Sequence, residues 1–211
     1  AMIEIDRENK FEVQCLHCWK HLKEATTFDE DFGFVPWEGS RLDKYSIART
    51  GYQKVFDSPS AYPKVLVSGN AVALKMSGNS SLLTEDHCYS PQTFINYICD
   101  NPELFLTDYE VFRKLFAKLT TLILVTKKEN DALRGLTRNN KKNNTILISC
   151  PKLLSYKHLG IDLFKREQGG KWGDARPTDN LIEVSDSFIE YEQKFWTPKA
   201  HKLYEEYDRS L

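Results

Sequence analysis

The chain has 211 residues, of which 41 % are apolar and 28 % are charged. This length corresponds to one domain, and this composition excludes a collagen-like, a membrane-embedded or a wholly disordered chain. The formal net charge of −1, from 29 Lys+Arg and 30 Asp+Glu, argues by itself against a protein that binds nucleic acid.

The charge is unevenly distributed along the chain. Residues 113–176 hold 15 Lys+Arg against 5 Asp+Glu, whereas residues 1–112 hold 10 against 17 and residues 177–211 hold 4 against 8. The near-neutral total therefore hides a basic segment between two acidic ones. Such asymmetry indicates a surface that meets a polyanion. A solvated, lysine-rich loop around residues 138–144 is the alternative explanation.

The sequence carries no sign of a targeting or membrane segment. It begins without a basic region followed by an apolar run, and its most apolar stretch, residues 119–125, is too short to span a bilayer. An odd number of cysteines, five, argues against a disulfide framework. We therefore expect a reducing, cytoplasmic location and no membrane partner.

The first half of the chain mixes strand patterns with irregular sequence. Alternating apolar and polar residues at 11–15 predict a strand that leads into Cys15-Leu-His-Cys18, and residues 29–63 are rich in aromatics, Gly, Pro and Ser. Two further strands are predicted at 65–69 and 71–76, joined by a turn at Ser68-Gly69-Asn70.

The second half shows clearer helical periodicity. Pro91 and Asp108 stand where helices begin, and Thr126 and Glu129 have the spacing of a capping box. Helices are predicted over 90–100, 109–119, 127–137 and 186–208, the last interrupted at Thr197-Pro198, with strands at 121–126 and 145–149. These elements predict an α+β fold and a single domain with sub-regions 1–63, 64–140 and 141–211.

Three of these features suggest one chemical site. Asp86-His87 ends a predicted strand, and a second strand and a helix follow from Thr121, with Asn130 in the first turns of that helix. This pattern resembles the HNH, or ββα-metal, nuclease family, whose motif is a strand ending in Asp-His or His-His, a second strand, and a helix that carries a final His or Asn. The resemblance covers about residues 83–136, and Thr121 stands where the family usually has Asn.

The resemblance implies a DNA endonuclease with an HNH-like motif embedded in a larger mixed domain. Asp86 and Asn130 would bind Mg²⁺ or Mn²⁺, His87 would act as the general base on the attacking water, and Thr121 would support the histidine. An enzyme that cuts both strands with one site per chain often works as a dimer, so a homodimer is the assembly expected in that case.

Two further patterns belong to this hypothesis. Cys15 and Cys18 have the spacing of half a zinc site, but a second such pair is missing, and two buried free thiols are the alternative. Phosphate contacts are predicted for the basic residues that surround and follow the proposed site: Lys127, Lys128, Arg134, Arg138, Lys157, Lys165, Arg166, Lys171 and Arg176. An ordinary amphipathic strand is the alternative for the stretch 159–163.

The sequence therefore predicts a metal-dependent endonuclease and leaves two competitors. The first is a zinc-stabilised nucleic-acid-binding or adaptor module without catalysis. The second is an interaction protein whose basic segment binds an acidic partner.

Overall fold

A computed structural model describes residues 3–25, 28–29, 31, 33–34, 66–88, 91–119, 121–137, 152–167, 169–178 and 186–209. The predicted strand at 145–149 lies outside these residues. The helices are α1 (Lys10–Ala25), α2 (Gly69–Met76), α3 (Pro91–Asp100), α4 (Pro102–Phe105), α5 (Tyr109–Leu119), α6 (Lys127–Thr137), α7 (Lys152–His158), α8 (Asp186–Gln193) and α9 (Pro198–Asp208). The strands are β1 (Phe28–Asp29), β2 (Gly33–Phe34), β3 (Leu66–Ser68), β4 (Leu83–His87), β5 (Leu122–Thr126), β6 (Leu163–Lys165) and β7 (Arg176–Pro177).

The chain is a mixed α+β protein, as predicted, and it divides into two compact units. The first unit comprises Ala1–Pro63 and Ser90–Thr121, and the second comprises Lys64–Tyr89 and Leu122–Leu211. The sequence predicts three consecutive sub-regions of one domain, whereas each unit combines two separate stretches of sequence. The predicted catalytic sub-region, 64–140, is consequently shared between the units.

Helix α1 replaces the strand predicted at 11–15. The side chain of Asn9 caps the helix by accepting from the backbone N–H of Phe11 at 3.0 Å. Cys15, Cys18 and Leu22 are buried, and their spacing of three and four residues is that of one helical face. The strand prediction is wrong because a five-residue alternation is too short to distinguish the two periods.

The core of the first unit is aromatic. Phe94, Phe112 and Phe116 are fully buried, and the ring centroids of the last two lie 5.6 Å apart. The predicted helices at 90–100 and 109–119 are confirmed by α3 and α5. Asp108 caps α5, as predicted, because its Oδ1 accepts from the backbone N–H of Glu110 at 3.0 Å.

The second unit is built on a five-stranded mixed sheet in the order β4-β5-β3-β6-β7. Strands β3 and β5 are parallel, and the other neighbouring pairs are antiparallel. All five residues of β5 are buried, which suits a central strand covered on both faces. Strand β5 and helix α6 confirm the elements predicted at 121–126 and 127–137. Helices α8 and α9 confirm the predicted C-terminal helix interrupted at Thr197-Pro198.

Helices cover both faces of this sheet. Ala71 of α2 packs with Val67, Leu124 and Phe164 on one face. The strand predicted at 71–76 is wrong, because Ser68 caps a helix there by accepting from the backbone N–H of Ala71 at 3.1 Å. None of the helices in the described part of the chain has the length and apolar character needed to cross a membrane.

Gly69, the first residue of α2, is predicted to be required by packing. A Cβ atom at this position would lie 2.9 Å from Cε2 of Phe164, whereas a Cβ at Gly135 in α6 meets nothing within 4 Å. We expect Gly69→Ala to lower the free energy of unfolding by about 1–3 kcal/mol through overpacking. Gly135→Ala is the control and should raise it by up to about 1 kcal/mol. Urea denaturation followed by circular dichroism compares them, and equal effects would contradict the packing argument.

A buried carboxyl group in α8 makes the stability of the protein sensitive to pH. Glu192 is 1 % exposed, its Oε2 has no hydrogen-bond partner among the described residues, and it shares a face of α8 with the buried Phe188. Burial raises the pKa of Glu192 well above its ordinary value. The folded state therefore keeps a proton that the unfolded state has released, and stability falls as the pH rises between the ordinary pKa and the raised one.

Glu192→Gln removes this titration. We expect the variant to gain about 1 kcal/mol or more over the wild type at pH 8, because it avoids a buried, unpaired charge, and to gain much less at pH 4. Urea midpoints measured from pH 4 to pH 8 test this. Glu206→Gln, at an exposed position in α9, is the control. Parallel pH profiles for the wild type and Glu192→Gln would refute the account.

Candidate functional site

The carboxyl ends of the parallel strands β3 and β5 form the edge of the sheet where polar residues concentrate. Ser68 and Thr126 end these strands, and α2 and α6 follow at once. Helix α2 packs on the face of the sheet that carries Leu124. Helix α6 packs with α7. Tyr156 of α7 contacts Asp86 on the other face of the sheet. In open α/β sheets, a place where successive helices leave to opposite faces is where ligands bind.

Glu129 joins the two strand ends. Its Oε2 accepts from the Ser68 hydroxyl at 2.6 Å and from the backbone N–H of Thr126 at 2.9 Å, and its Oε1 accepts from the side-chain amide of Asn70 at 2.9 Å. The backbone N–H of Glu129 donates to the Thr126 hydroxyl at 3.1 Å, which confirms the predicted capping box. The carboxyl group of this capping box therefore also holds the first turn of α2.

Two lysines follow on the same edge. Lys127 and Lys128 are exposed in the first turn of α6 and form no ion pair within the described part of the chain. Cations in the first turn of a helix oppose its dipole, so helix stability does not explain them. Asn130, half-buried in the next position after Glu129, completes this polar edge.

The side chains of the predicted pair Asp86-His87 lie on opposite faces of the sheet. Asp86 is 7 % exposed, and its Oδ2 accepts from the Tyr156 hydroxyl at 2.8 Å. Burial, followed by the neighbouring Asp86, raises the pKa of Tyr156, so the phenol keeps its proton and remains the donor. His87 is the next residue of β4 and pairs with Leu122, so strand alternation directs it to the opposite face.

The other two predicted site residues flank β5, with Thr121 directly before the strand and Asn130 in the helix that follows it. Thr121 belongs to the first unit, where its hydroxyl donates to the carbonyl oxygen of Ala117 at 3.2 Å, whereas Asn130 belongs to the second. No group of three or more His, Cys, Asp or Glu residues suited to a metal ion occurs in the described ranges. The expected Mg²⁺ or Mn²⁺ site at Asp86 and Asn130 stays a prediction, and we derive no reaction step through it.

The Cys-x-x-Cys pair lies in the middle of a helix. Cys15 and Cys18 belong to α1, where both are fully buried. Burial raises the pKa of Cys15 to about 12 and also raises that of Cys18. Both thiols are therefore protonated at neutral pH, whereas zinc binds the thiolate. The zinc site stays a prediction, and two buried thiols account for the packing seen here.

The basic residues predicted to contact phosphates lie at the surface of the second unit. Arg138 is outside the described residues, and Arg166 is half-buried. The remaining seven are exposed: Lys127, Lys128, Arg134, Lys157, Lys165, Lys171 and Arg176. Arg166 stacks on Trp172, with its guanidinium carbon 3.9 Å from the ring centroid, and Nζ of Lys75 lies 5.3 Å from the same ring.

Sequence reasoning missed the contacts that connect distant parts of the chain. Ser68 and Glu129 are 61 residues apart, and Asp86 and Tyr156 are 70 apart. The only local signal for the contact between Ser68 and Glu129 is the small polar residue Ser68 at the end of an apolar strand. We interpreted Ser68 as part of a turn, whereas it caps a helix.

Comparison with known proteins gives no relative from which a function can be transferred. No protein-family model, no curated protein and no solved structure matches this chain. The resemblance to HNH nucleases therefore remains a prediction from the sequence, and a function has to be argued from the residues themselves.

Proposed function

We propose that this protein binds nucleic acid through the phosphate backbone, using the basic residues of its second unit. The observation that carries the proposal is a set of four exposed lysines that form no ion pair in the described part of the chain: Lys127, Lys128, Lys165 and Lys171. Lysines of this kind are available to replace the counterions of a phosphate backbone.

The surroundings of these lysines support the same conclusion. Lys127 and Lys128 lie in the first turn of α6, where a bound anion would offset their unfavourable interaction with the helix dipole. In the loop between β6 and β7, Arg166 donates to the carbonyl oxygen of Gly170 at 2.8 Å and stacks on Trp172. Aromatic side chains next to fixed cations are typical of nucleic-acid-binding surfaces.

A fluorescence anisotropy titration tests the proposal. A labelled 20-mer, as duplex and as single strand, is titrated with the full chain at low salt, and we expect saturable binding in the micromolar range or tighter. Polyglutamate of matched charge is the competitor that separates nucleic acid from an acidic protein partner. Binding of neither form, or equal displacement by polyglutamate, would contradict the proposal.

Phosphodiester hydrolysis is a second candidate, favoured by the order of elements in the second unit. Strands β4 and β5 are antiparallel and α6 follows β5 directly, which is a strand-strand-helix order with Asn130 in the helix. If the protein is a nuclease, it should nick supercoiled plasmid with Mg²⁺ or Mn²⁺, and His87→Ala should abolish nicking in a folded protein. Absence of nicking by the wild type across metals and DNA forms would refute this candidate and leave binding as the activity.

A further inference from the structure

The antiparallel strands β6 and β7 carry two cations directly opposite each other. Lys165 pairs with Arg176 in the register of these strands, and both residues are exposed. Residues directly opposite on one face of a sheet have Cβ atoms about 5 Å apart, and like charges in that arrangement destabilise the strand pair. The stability of the sheet therefore does not explain why both positions hold a cation.

No carboxylate offsets this repulsion within the described part of the chain. The acidic residues closest in sequence to the pair, Glu167 and Asp174, are exposed and form no ion pair with either cation. The counterion of Lys165 and Arg176 must therefore come from solution.

Both cations lie on the face of the sheet that α2 does not cover. Phe164 packs under α2, so strand alternation directs the neighbouring Lys165 to the opposite face. Arg176 lies directly across from Lys165 and shares its face. Arg166, by contrast, stacks on Trp172, which packs in the cluster under α2. The pair formed by Lys165 and Arg176 is therefore distinct from the cation that stacks on Trp172.

Hydrogen bonds hold the segment between the two strands and the guanidinium of Arg176. The backbone N–H of Gly170 donates to the carbonyl oxygen of Glu167 at 2.8 Å, and that of Ala175 donates to Trp172 at 3.2 Å. Nη1 of Arg176 donates to the carbonyl oxygen of Ala175 at 3.1 Å, which leaves Nε and Nη2 without a hydrogen bond to the described residues. A cation held in this way loses less conformational freedom when it binds an anion.

We propose that Lys165 and Arg176 together bind one phosphate group. Nε and Nη2 of Arg176 donate to two phosphate oxygens, and the ammonium group of Lys165 binds the same group from the neighbouring strand. This inference deepens the proposed nucleic-acid binding and rests on it for the source of the phosphate. A small phosphorylated molecule is the other source of the same chemistry.

Charge reversal separates the stability of the strand pair from binding. Lys165→Glu places opposite charges across the strands, so we expect the melting temperature at low salt to rise by about 1–3 °C. The affinity for a labelled 20-bp duplex should fall at least about tenfold, because the new carboxylate repels phosphate. Arg176→Glu should behave in the same way. Thermal unfolding followed by circular dichroism measures the first effect, and anisotropy measures the second.

The control makes the same change of charge elsewhere in the second unit. Lys202 is exposed in α9 and forms no ion pair among the described residues. We expect Lys202→Glu to keep the affinity for the duplex within about threefold of the wild type. An equal loss of affinity in Lys202→Glu and Lys165→Glu would overturn a specific role of the pair.

Inorganic pyrophosphate is the probe for the phosphate site itself. At about ten times its dissociation constant, it should raise the melting temperature of the wild type by about 3–6 °C relative to sodium chloride of equal ionic strength. It should not raise that of Lys165→Glu. An equal rise in both proteins would reflect general stabilisation by a multivalent anion and would overturn the site.

The outcomes separate the phosphate site from the function on which it rests. If Lys165→Glu and Arg176→Glu bind the duplex as tightly as the wild type and pyrophosphate has no selective effect, the site is overturned and backbone binding by the other lysines stands. A selective effect of pyrophosphate without any binding of DNA overturns the proposed function and supports a small phosphorylated ligand. Loss of both responses in Lys165→Glu supports the site with a nucleic-acid backbone as the source.

Discussion

Replacing Glu129 with alanine is expected to lower the free energy of unfolding by about 3–5 kcal/mol. The carboxyl group accepts three hydrogen bonds, from Ser68, Asn70 and the backbone of Thr126, and Glu129 is only 8 % exposed. Its loss leaves buried donors without acceptors at the first turns of two helices. Urea denaturation followed by circular dichroism measures the change.

Two variants show whether this effect comes from the hydrogen bonds. Asp131→Ala removes an exposed carboxylate from the same helix and should change the free energy of unfolding by less than about 0.5 kcal/mol. Glu129→Gln keeps one acceptor oxygen, so it should lie between alanine and the wild type. A decrease of less than about 1 kcal/mol in the free energy of unfolding for Glu129→Ala would contradict the conclusion that Glu129 connects the ends of β3 and β5.

Replacing four lysines of the second unit with alanine is expected to weaken binding of DNA by at least about a hundredfold at low salt. The substitutions are at Lys127, Lys128, Lys165 and Lys171, all exposed and without ion pairs in the described part of the chain. Each lysine that neutralises a phosphate contributes to affinity by releasing a counterion, and four such contacts act together. Anisotropy titrations with a 20-bp duplex at 50 mM salt measure the loss.

The matched control makes the same change of net charge in the first unit. Lys10, Lys20, Lys114 and Lys118 are exposed there, and their replacement by alanine also removes four positive charges. We expect this control to keep affinity within a few-fold of the wild type, because the proposed phosphate contacts are made by lysines of the second unit. An equal loss in both variants would indicate that only the net charge matters.

Elements with strong local signals were predictable from the sequence. The capping box of Thr126 and Glu129 marked the start of α6, and Asp108 marked the start of α5. These signals depend on residues two to four positions apart, so the sequence contains them completely. The short apolar runs at 11–15 and 71–76 carried no such marker in our interpretation, and both fold as helices.

The arrangement of the candidate site was much less predictable, because it depends on contacts between distant residues. The sequence identified Asp86 as a candidate ligand from its neighbour His87, but its hydrogen-bond partner is Tyr156, 70 residues away. Strand alternation then directs the two neighbours to opposite faces. The concentration of charge in residues 113–176 could be counted directly from the sequence. Of the described basic residues predicted to contact phosphates, all except Arg166 are exposed.

The dependence of DNA affinity on salt concentration is the most direct test of binding to the phosphate backbone. With four phosphate contacts, a plot of the logarithm of the binding constant against the logarithm of salt concentration should have a slope of about −3.6 for duplex DNA. Between 50 and 200 mM salt, the wild type should lose affinity by about a hundredfold, and the four-lysine variant should lose little. A wild-type slope near zero, or equal slopes for the two proteins, would contradict backbone binding by these lysines.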